Sequence, residues 1–239
     1  MIPHRPALSP APFDALLLDV DGTMYLFDQP YKAECTAAFQ RSSRLNIASF
    51  INGQQAEAKA HIAAHGLHHF DTPHHLKSML NKARMAMRAD FIQPQPALVA
   101  ALKNINVPIW ASTNSEPEWL DKVLQKSGLS EVITAEKRIC APRDLRTAKH
   151  NAYGKIRELM GLPATSRILA IEDDARNLLA AERAGMHKGW ITQDTRNTPP
   201  NYADFMGPTL QDIVKQAFPG SFRPALSSNT RTLKRVSHE

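Results

Sequence analysis

Short apolar runs alternate with stretches of helical periodicity along the chain. Residues 15–20 (ALLLDV), 107–112 (VPIWAS) and 167–172 (RILAIE) are apolar, of strand length, and closed by turn residues or acids. Continuous apolarity over so few residues marks strands buried on both faces. Residues 131–134 (EVIT) and 187–192 (HKGWIT) are weaker strand candidates. The segments between them repeat apolar residues at helical spacing. In 116–128 (EPEWLDKVLQKSG), Leu120, Val123 and Leu124 share one helical face and Gly128 stands where a helix stops. Residues 149–161 and 175–185 end in the same way at Gly161 and Gly185. Strands alternating with helices of this length predict an α/β fold: a doubly wound parallel sheet, a Rossmann-like core with helices on both faces.

The pattern changes between residues 27 and 93. No strand is expected there, while 54–66 and 72–87 read as helices, the second with Thr72 as N-cap and Pro73 in its first turn. So long a helical block exceeds what one crossover needs. The predicted organisation is a core of residues 1–26 and 94–218, an inserted helical cap over 27–93, and a basic tail over 219–239.

Composition narrows the class. The chain has 239 residues, 43% of them hydrophobic, enough for a sizeable core. No apolar run approaches the ~18 residues of a membrane helix, and the Pro-rich start (MIPHRPALSPAPF) lacks an apolar signal core. Two distant cysteines, Cys35 and Cys140, give no disulfide framework, so a cytoplasmic location is expected. The net charge of +6 is partly carried by Arg223, Arg231, Lys234 and Arg235 in the tail. That tail is the only hint of nucleic acid, which is not the expected partner, and no membrane partner is expected. Six histidines, His61, His65, His68, His69, His74 and His75, crowd the cap without a Cys partner or an H-E-x-x-H pattern and read as a solvated surface.

The chemistry gathers at the strand tips. In open α/β sheets, ligands bind beyond the carboxyl ends of the strands. The first candidate strand ends in Asp19-Val20-Asp21-Gly22-Thr23, the second in Ser112-Thr113-Asn114, and the strand at 167–172 runs into Glu172-Asp173-Asp174 with Asn177 just beyond. Converging carboxylates repel one another unless a cation joins them. Mg²⁺ suits such a site, because it takes few carboxylates and completes its shell with water and substrate phosphate. One acid is then free to act as a nucleophile and a second as general acid and base. Gly22 allows a sharp turn beside a phosphate, and Thr113 with a lysine can hold phosphoryl oxygens. Asp174 suits the N-terminus of the following helix, through the helix dipole, rather than a metal.

The set DVDGT, STN, a lysine and AIEDDARN resembles the haloacid dehalogenase-like phosphohydrolases over residues 14–192, and the helical block resembles that family's cap of the first type. The resemblance implies roles. Asp19 matches the nucleophile and Asp21 the general acid/base, whose backbone carbonyl also binds metal. Thr113 and Asn114 match the second motif and Gly22 lies beside the phosphate. Glu172 and Asp173 match the acidic pair that holds Mg²⁺, Asp173 directly. An acid at position 21 favours a phosphatase over the dehalogenases. The third motif departs from the family's Lys-Pro: Lys149 is followed by His150, with Lys155, Lys137 and Arg143 as alternatives. DGTMY, STN and AAHGLHHFDTPHHL resemble the pyrimidine 5′-nucleotidase branch. The expected function is Mg²⁺-dependent hydrolysis of a small phosphorylated metabolite, such as a nucleotide, through an aspartyl-phosphate. Sugar-phosphate or phosphoglycolate phosphatase, phosphomutase, and a non-catalytic polyanion-binding module are the alternatives.

Overall fold

Strand β1 (Ala15–Asp19) is buried at every position, which is why it reads as an unbroken apolar run. In the computed structural model, which describes residues 12–26, 29–43, 84–192 and 203–222, five further strands join it. They are β2 (Ile109–Thr113), β3 (Arg138–Cys140), β4 (Ile168–Glu172), β5 (His187–Ile191) and β6 (Phe205–Gly207). The order across the sheet is β3-β2-β1-β4-β5-β6, and every pairing is parallel. The chain builds outward from β1 to β3, then returns to the other side of β1 with β4. The reversal leaves a crevice between β1 and β4 at their carboxyl ends, the topological switch point where open sheets bind ligands.

Helices cover both faces. Helix α1 (Gln29–Ser43) lies in the long connection after β1, followed by α2 (Pro96–Asn104), α3 (Pro117–Ser127), α4 (Tyr153–Leu159), α5 (Ala175–Arg183) and α6 (Leu210–Ala217). One core joins Leu16, Leu18 and Ile171 of the sheet to Leu98 and Leu102 of α2, Leu120 and Leu124 of α3, and Ile213 and Val214 of α6. The second joins Ala15, Leu17 and Ala170 to Tyr153, Ile156 and Ala181 of α4 and α5. Alternate residues of β1 thus face opposite layers, as a doubly wound sheet requires. Gly128 closes α3 in the left-handed conformation, at φ 80°, so the helix stops where the sequence predicts.

Residues 131–134 are not a strand. Leu129–Glu131 form a 3-10 turn straight after Gly128. The Ile133 carbonyl is taken by the Arg138 guanidinium, with Nη2 at 2.8 Å, rather than by a neighbouring strand. The sheet instead gains β3 at Arg138–Cys140. The expected helix over 54–66, the six histidines and residues 223–239 lie outside the described residues, as does most of the expected helix over 72–87. Within the latter, residues 84–86 form a helical turn. At the carboxyl end the chain stays packed as far as Ser221, whose carbonyl accepts from Asn104 Nδ2, and Phe222, which lies against the core. Both cysteines are buried free thiols. Among the described residues, no helix is long and apolar enough to cross a membrane.

Candidate active site

The register brings the acids together. Leu18 of β1 pairs with Ile171 of β4, so Asp19 and Glu172, one residue further along, end neighbouring strands at the switch point. Asp173 follows at once. One carboxylate oxygen from each of Asp19, Glu172 and Asp173 lies within 4.8 Å of the others. Asp19 and Glu172 are buried and Asp173 is partly buried. Such a group carries more negative charge than its neighbours cancel, and a hard cation with oxygen ligands is the natural partner.

Among the described residues, Lys149 supplies the one ammonium inside this group. Its side chain is fully buried and donates to Asp19, to Glu172 at 2.8 Å and to the Ser112 carbonyl at 3.1 Å. Burial opposes its charge, but Asp19 and Glu172 outweigh that and hold the ammonium above the ordinary lysine value. A short turn at Lys149–Asn151 carries it. That turn is fixed from β2, because Asn114 Oδ1 accepts the Lys149 backbone N–H at 2.9 Å. Lys155 instead pairs with Glu158, and Arg143 with Asp144, both at exposed positions.

Burial and the nearby Glu172 raise the Asp19 carboxyl well above the ordinary value, with Lys149 working the other way. Burial and Glu172 likewise push Asp173 up to about 8. Glu172 is better supplied: Tyr153 and Lys149 donate to Oε1, and Asn177 donates to Oε2 at 3.0 Å. Among the described residues, no side chain donates to the Asp173 carboxylate. Asp174 turns away as the N-cap of α5, accepting the Arg176 N–H at 2.8 Å.

Asp21 has a different environment from its neighbour two residues back. Gly22, at φ 87°, turns the chain behind it. Its Oδ2 accepts from Thr113 Oγ1 at 2.9 Å and Ser115 Oγ at 2.7 Å, and its Oδ1 from Tyr25 and from Trp119 Nε1 at 2.9 Å. Arg84 Nη1 lies 3.8 Å from Oδ1. Burial alone would raise this carboxyl, but the Arg84 charge and these donors together hold it below the ordinary value. Asp21 is therefore an ionised acceptor here, not a carboxyl kept partly protonated by its surroundings. The hydroxyl of Thr113, expected to face a phosphate, donates to Asp21 and accepts the Ser115 N–H at 2.9 Å.

Tyr25, Arg84, Ser115, Trp119 and Tyr153 thus belong to the site without having been singled out from the sequence. Tyr25, the last residue of DGTMY, and Ser115, directly after STN, carried a local signal.

The sequence matches the haloacid dehalogenase-like hydrolase family over residues 13–185. A search of curated proteins finds no match. Solved structures share the fold. YfnB of Bacillus subtilis, bound to magnesium, is 15% identical with a TM-score of 0.60, covering 86% of this chain and 99% of its own. A HAD family hydrolase of Deinococcus radiodurans R1, with bound phosphate and sodium, is 20% identical with a TM-score of 0.53, covering 90% and 100%. The L-2-haloacid dehalogenase of Xanthobacter autotrophicus is 15% identical with a TM-score of 0.53, covering 85% and 97%. With the family matched across most of its length and the parallel sheet carrying the acids at its switch point, this chain belongs to the haloacid dehalogenase-like hydrolases.

Proposed function

We propose that the protein is a Mg²⁺-dependent phosphomonoester hydrolase that works through an aspartyl-phosphate on Asp19. The observation that carries this reading is the group of Asp19, Glu172 and Asp173, three carboxylates within 4.8 Å of one another around one lysine. Displacement at carbon, as in a dehalogenase, uses an attacking carboxylate and a base for the water that follows, but brings no phosphate charge for a divalent cation to offset. Phosphoryl transfer does, and the cation must offset charge on both enzyme and substrate. The magnesium of YfnB and the phosphate of the Deinococcus protein support the same reading.

Asp19, Asp173 and the Asp21 backbone carbonyl would hold Mg²⁺, with Glu172 fixed behind them by Lys149, Tyr153 and Asn177. The bound ion would draw charge from the phosphoryl oxygens and leave Asp19 ionised. In the first step an Asp19 oxygen attacks phosphorus. The ester P–O bond breaks, and its electron pair leaves with the alcohol oxygen, which takes a proton from Asp21. In the second step a water oxygen attacks phosphorus, the bond to Asp19 breaks, the electron pair returns to that carboxylate, and Asp21 accepts the water's proton. Lys149 stays beside Asp19 and steadies the charge there. The ionised Asp21 described above is ready for the second step. For the first it must gain a proton as its donors loosen.

Residues 27–93 are proposed as the lid that selects the ester. Nucleoside monophosphates are the first substrates to test, then sugar phosphates and phosphoglycolate. The decisive assay is hydrolysis of p-nitrophenyl phosphate. Activity is lost in chelator, returns with Mg²⁺, and is accompanied by acid-trapped phosphate on the wild-type chain. Full activity in excess chelator would sink the proposal.

A further inference from the structure

The returning end of the long connection after β1 reaches the candidate active site through one side chain. Arg84 is nearly buried, at 12% side-chain exposure, and lies 3.8 Å from Asp21 Oδ1. Its Nη1 donates to Ser115 Oγ at 2.8 Å, and that hydroxyl itself donates to Asp21 Oδ2. Its Nε donates to Tyr31 OH of α1 at 3.1 Å. One guanidinium therefore ties together the outgoing limb of the connection, its returning limb and the core, at the carboxylate of Asp21.

The limb that carries Arg84 is itself held. Lys122 of α3 donates to the Met85 carbonyl at 3.0 Å and the Met87 carbonyl at 2.8 Å. Ala89 is buried and left-handed, at φ 61°, a conformation that costs a non-glycine residue energy. Glu34 of α1 accepts its N–H at 2.9 Å. Phe91 packs against Tyr25, Tyr31 and Trp119. So many restraints on one short segment fix where Arg84 can stand.

We propose that Arg84 is a positioning residue for the reaction: from the returning limb of the connection it holds the Asp21 carboxylate in place, so that the placement of residues 84–91 sets how well Asp21 serves phosphoenzyme hydrolysis. Arg84 acts on the reaction through Asp21. A guanidinium does this better than an ammonium, because Nη1 reaches Ser115 and lies beside Asp21 while the separate Nε serves Tyr31. The kinetic part rests on the phosphatase reading, whereas the geometric part does not.

The test uses full-length protein and two readouts. The first is the lifetime of phosphoenzyme trapped from labelled substrate. Arg84→Ala should slow its hydrolysis on the order of 10–100-fold, part of the ~10²–10⁴-fold that general acid–base help supplies. KM should change little, Arg84→Lys should recover only part of the loss, and guanidinium ion should rescue the alanine variant. The second readout needs no activity. Trp119 donates its indole N–H to Asp21, and the chain has three tryptophans, so Trp119→Phe assigns that resonance. It should move in Arg84→Ala and return with guanidinium. If Arg84→Ala does not fold, Arg84→Lys is measured in the same two ways. An unmoved indole resonance, or equal slowing of both half-reactions with no rescue, would overturn the proposal. Absence of phosphoenzyme on wild-type protein would count against the phosphatase reading alone, and the indole resonance would still decide the role of Arg84.

Discussion

Two aspartates separated by one valine end up in opposite electrostatic states. Asp19 sits among like charges, and burial with Glu172 raises its carboxyl. Asp21 sits among donors and beside Arg84, and is held low. Their tasks should therefore separate cleanly under mutation. Asp19→Asn should abolish both trapped phosphate and turnover. Asp21→Asn should form phosphoenzyme from p-nitrophenyl phosphate, whose leaving group needs little help, and then stall. Its hydrolysis step should slow by about 10²–10⁴-fold, so labelled phosphate accumulates on the protein. Rapid-quench counting of bound label against released phosphate measures the two steps apart. Wild-type turnover by Asp21→Asn would show that this carboxylate is only a structural anchor. The pair was legible in DVDGT because an apolar strand has no structural need for two acids at its tip. The electrostatic difference was not. It depends on Arg84, Ser115 and Trp119, which lie 63, 94 and 98 positions further along the chain, and on which face of the turn each side chain takes.

At the scale of elements, burial on both faces made the central strands easy to read, and shortness hid the edges. Strands β1, β2, β4 and β5 have five residues each, while β3 and β6 have three. A three-residue strand leaves no apolar run for a sequence pattern to register. Residues 131–134 misled for the complementary reason: Ile133 is fully buried, yet by a turn rather than by a sheet. The close approach of β5 to α6 was equally hidden in the sequence. A Cβ on Gly189 would come within 2.9 Å of Ile213 Cγ2 and 3.0 Å of Ile171 Cγ1. Here glycine is required by packing and not by backbone conformation. Gly189→Ala should destabilise the fold by about 1–3 kcal/mol, the usual cost of overpacking. For a chain of this size that is roughly 2–4 °C of melting temperature per kcal/mol. Calorimetry measures it, and an unchanged melting temperature would mean that α6 moves aside freely.

Across the whole molecule, the acid cluster makes stability depend on pH in a direction that Mg²⁺ should reverse. Asp19 and Asp173 have folded carboxyls above their ordinary values, the latter at about 8. Without metal, the folded state therefore holds protons that the unfolded chain releases near pH 4. Stability falls wherever the folded state binds more protons than the unfolded one. Metal-free protein should thus lose stability as pH rises from about 4 towards 8. Asp21 has the opposite sign: its depressed carboxyl contributes stability that disappears only below the ordinary aspartate range, outside this window. Mg²⁺ binds the deprotonated carboxylates, so it should stabilise the protein little at pH 5 and most near pH 8. A ligand at 100 times its dissociation constant adds about 2.7 kcal/mol. Urea unfolding at several pH values, in chelator and in saturating Mg²⁺, reads both trends. Asp173→Asn serves as the control. It removes a charge from the cluster, so it should be the more stable protein without metal at pH 8 and should respond weakly to Mg²⁺. A Mg²⁺ effect independent of pH, or an Asp173→Asn protein stabilised by Mg²⁺ as fully as wild type, would show that the ion sits elsewhere.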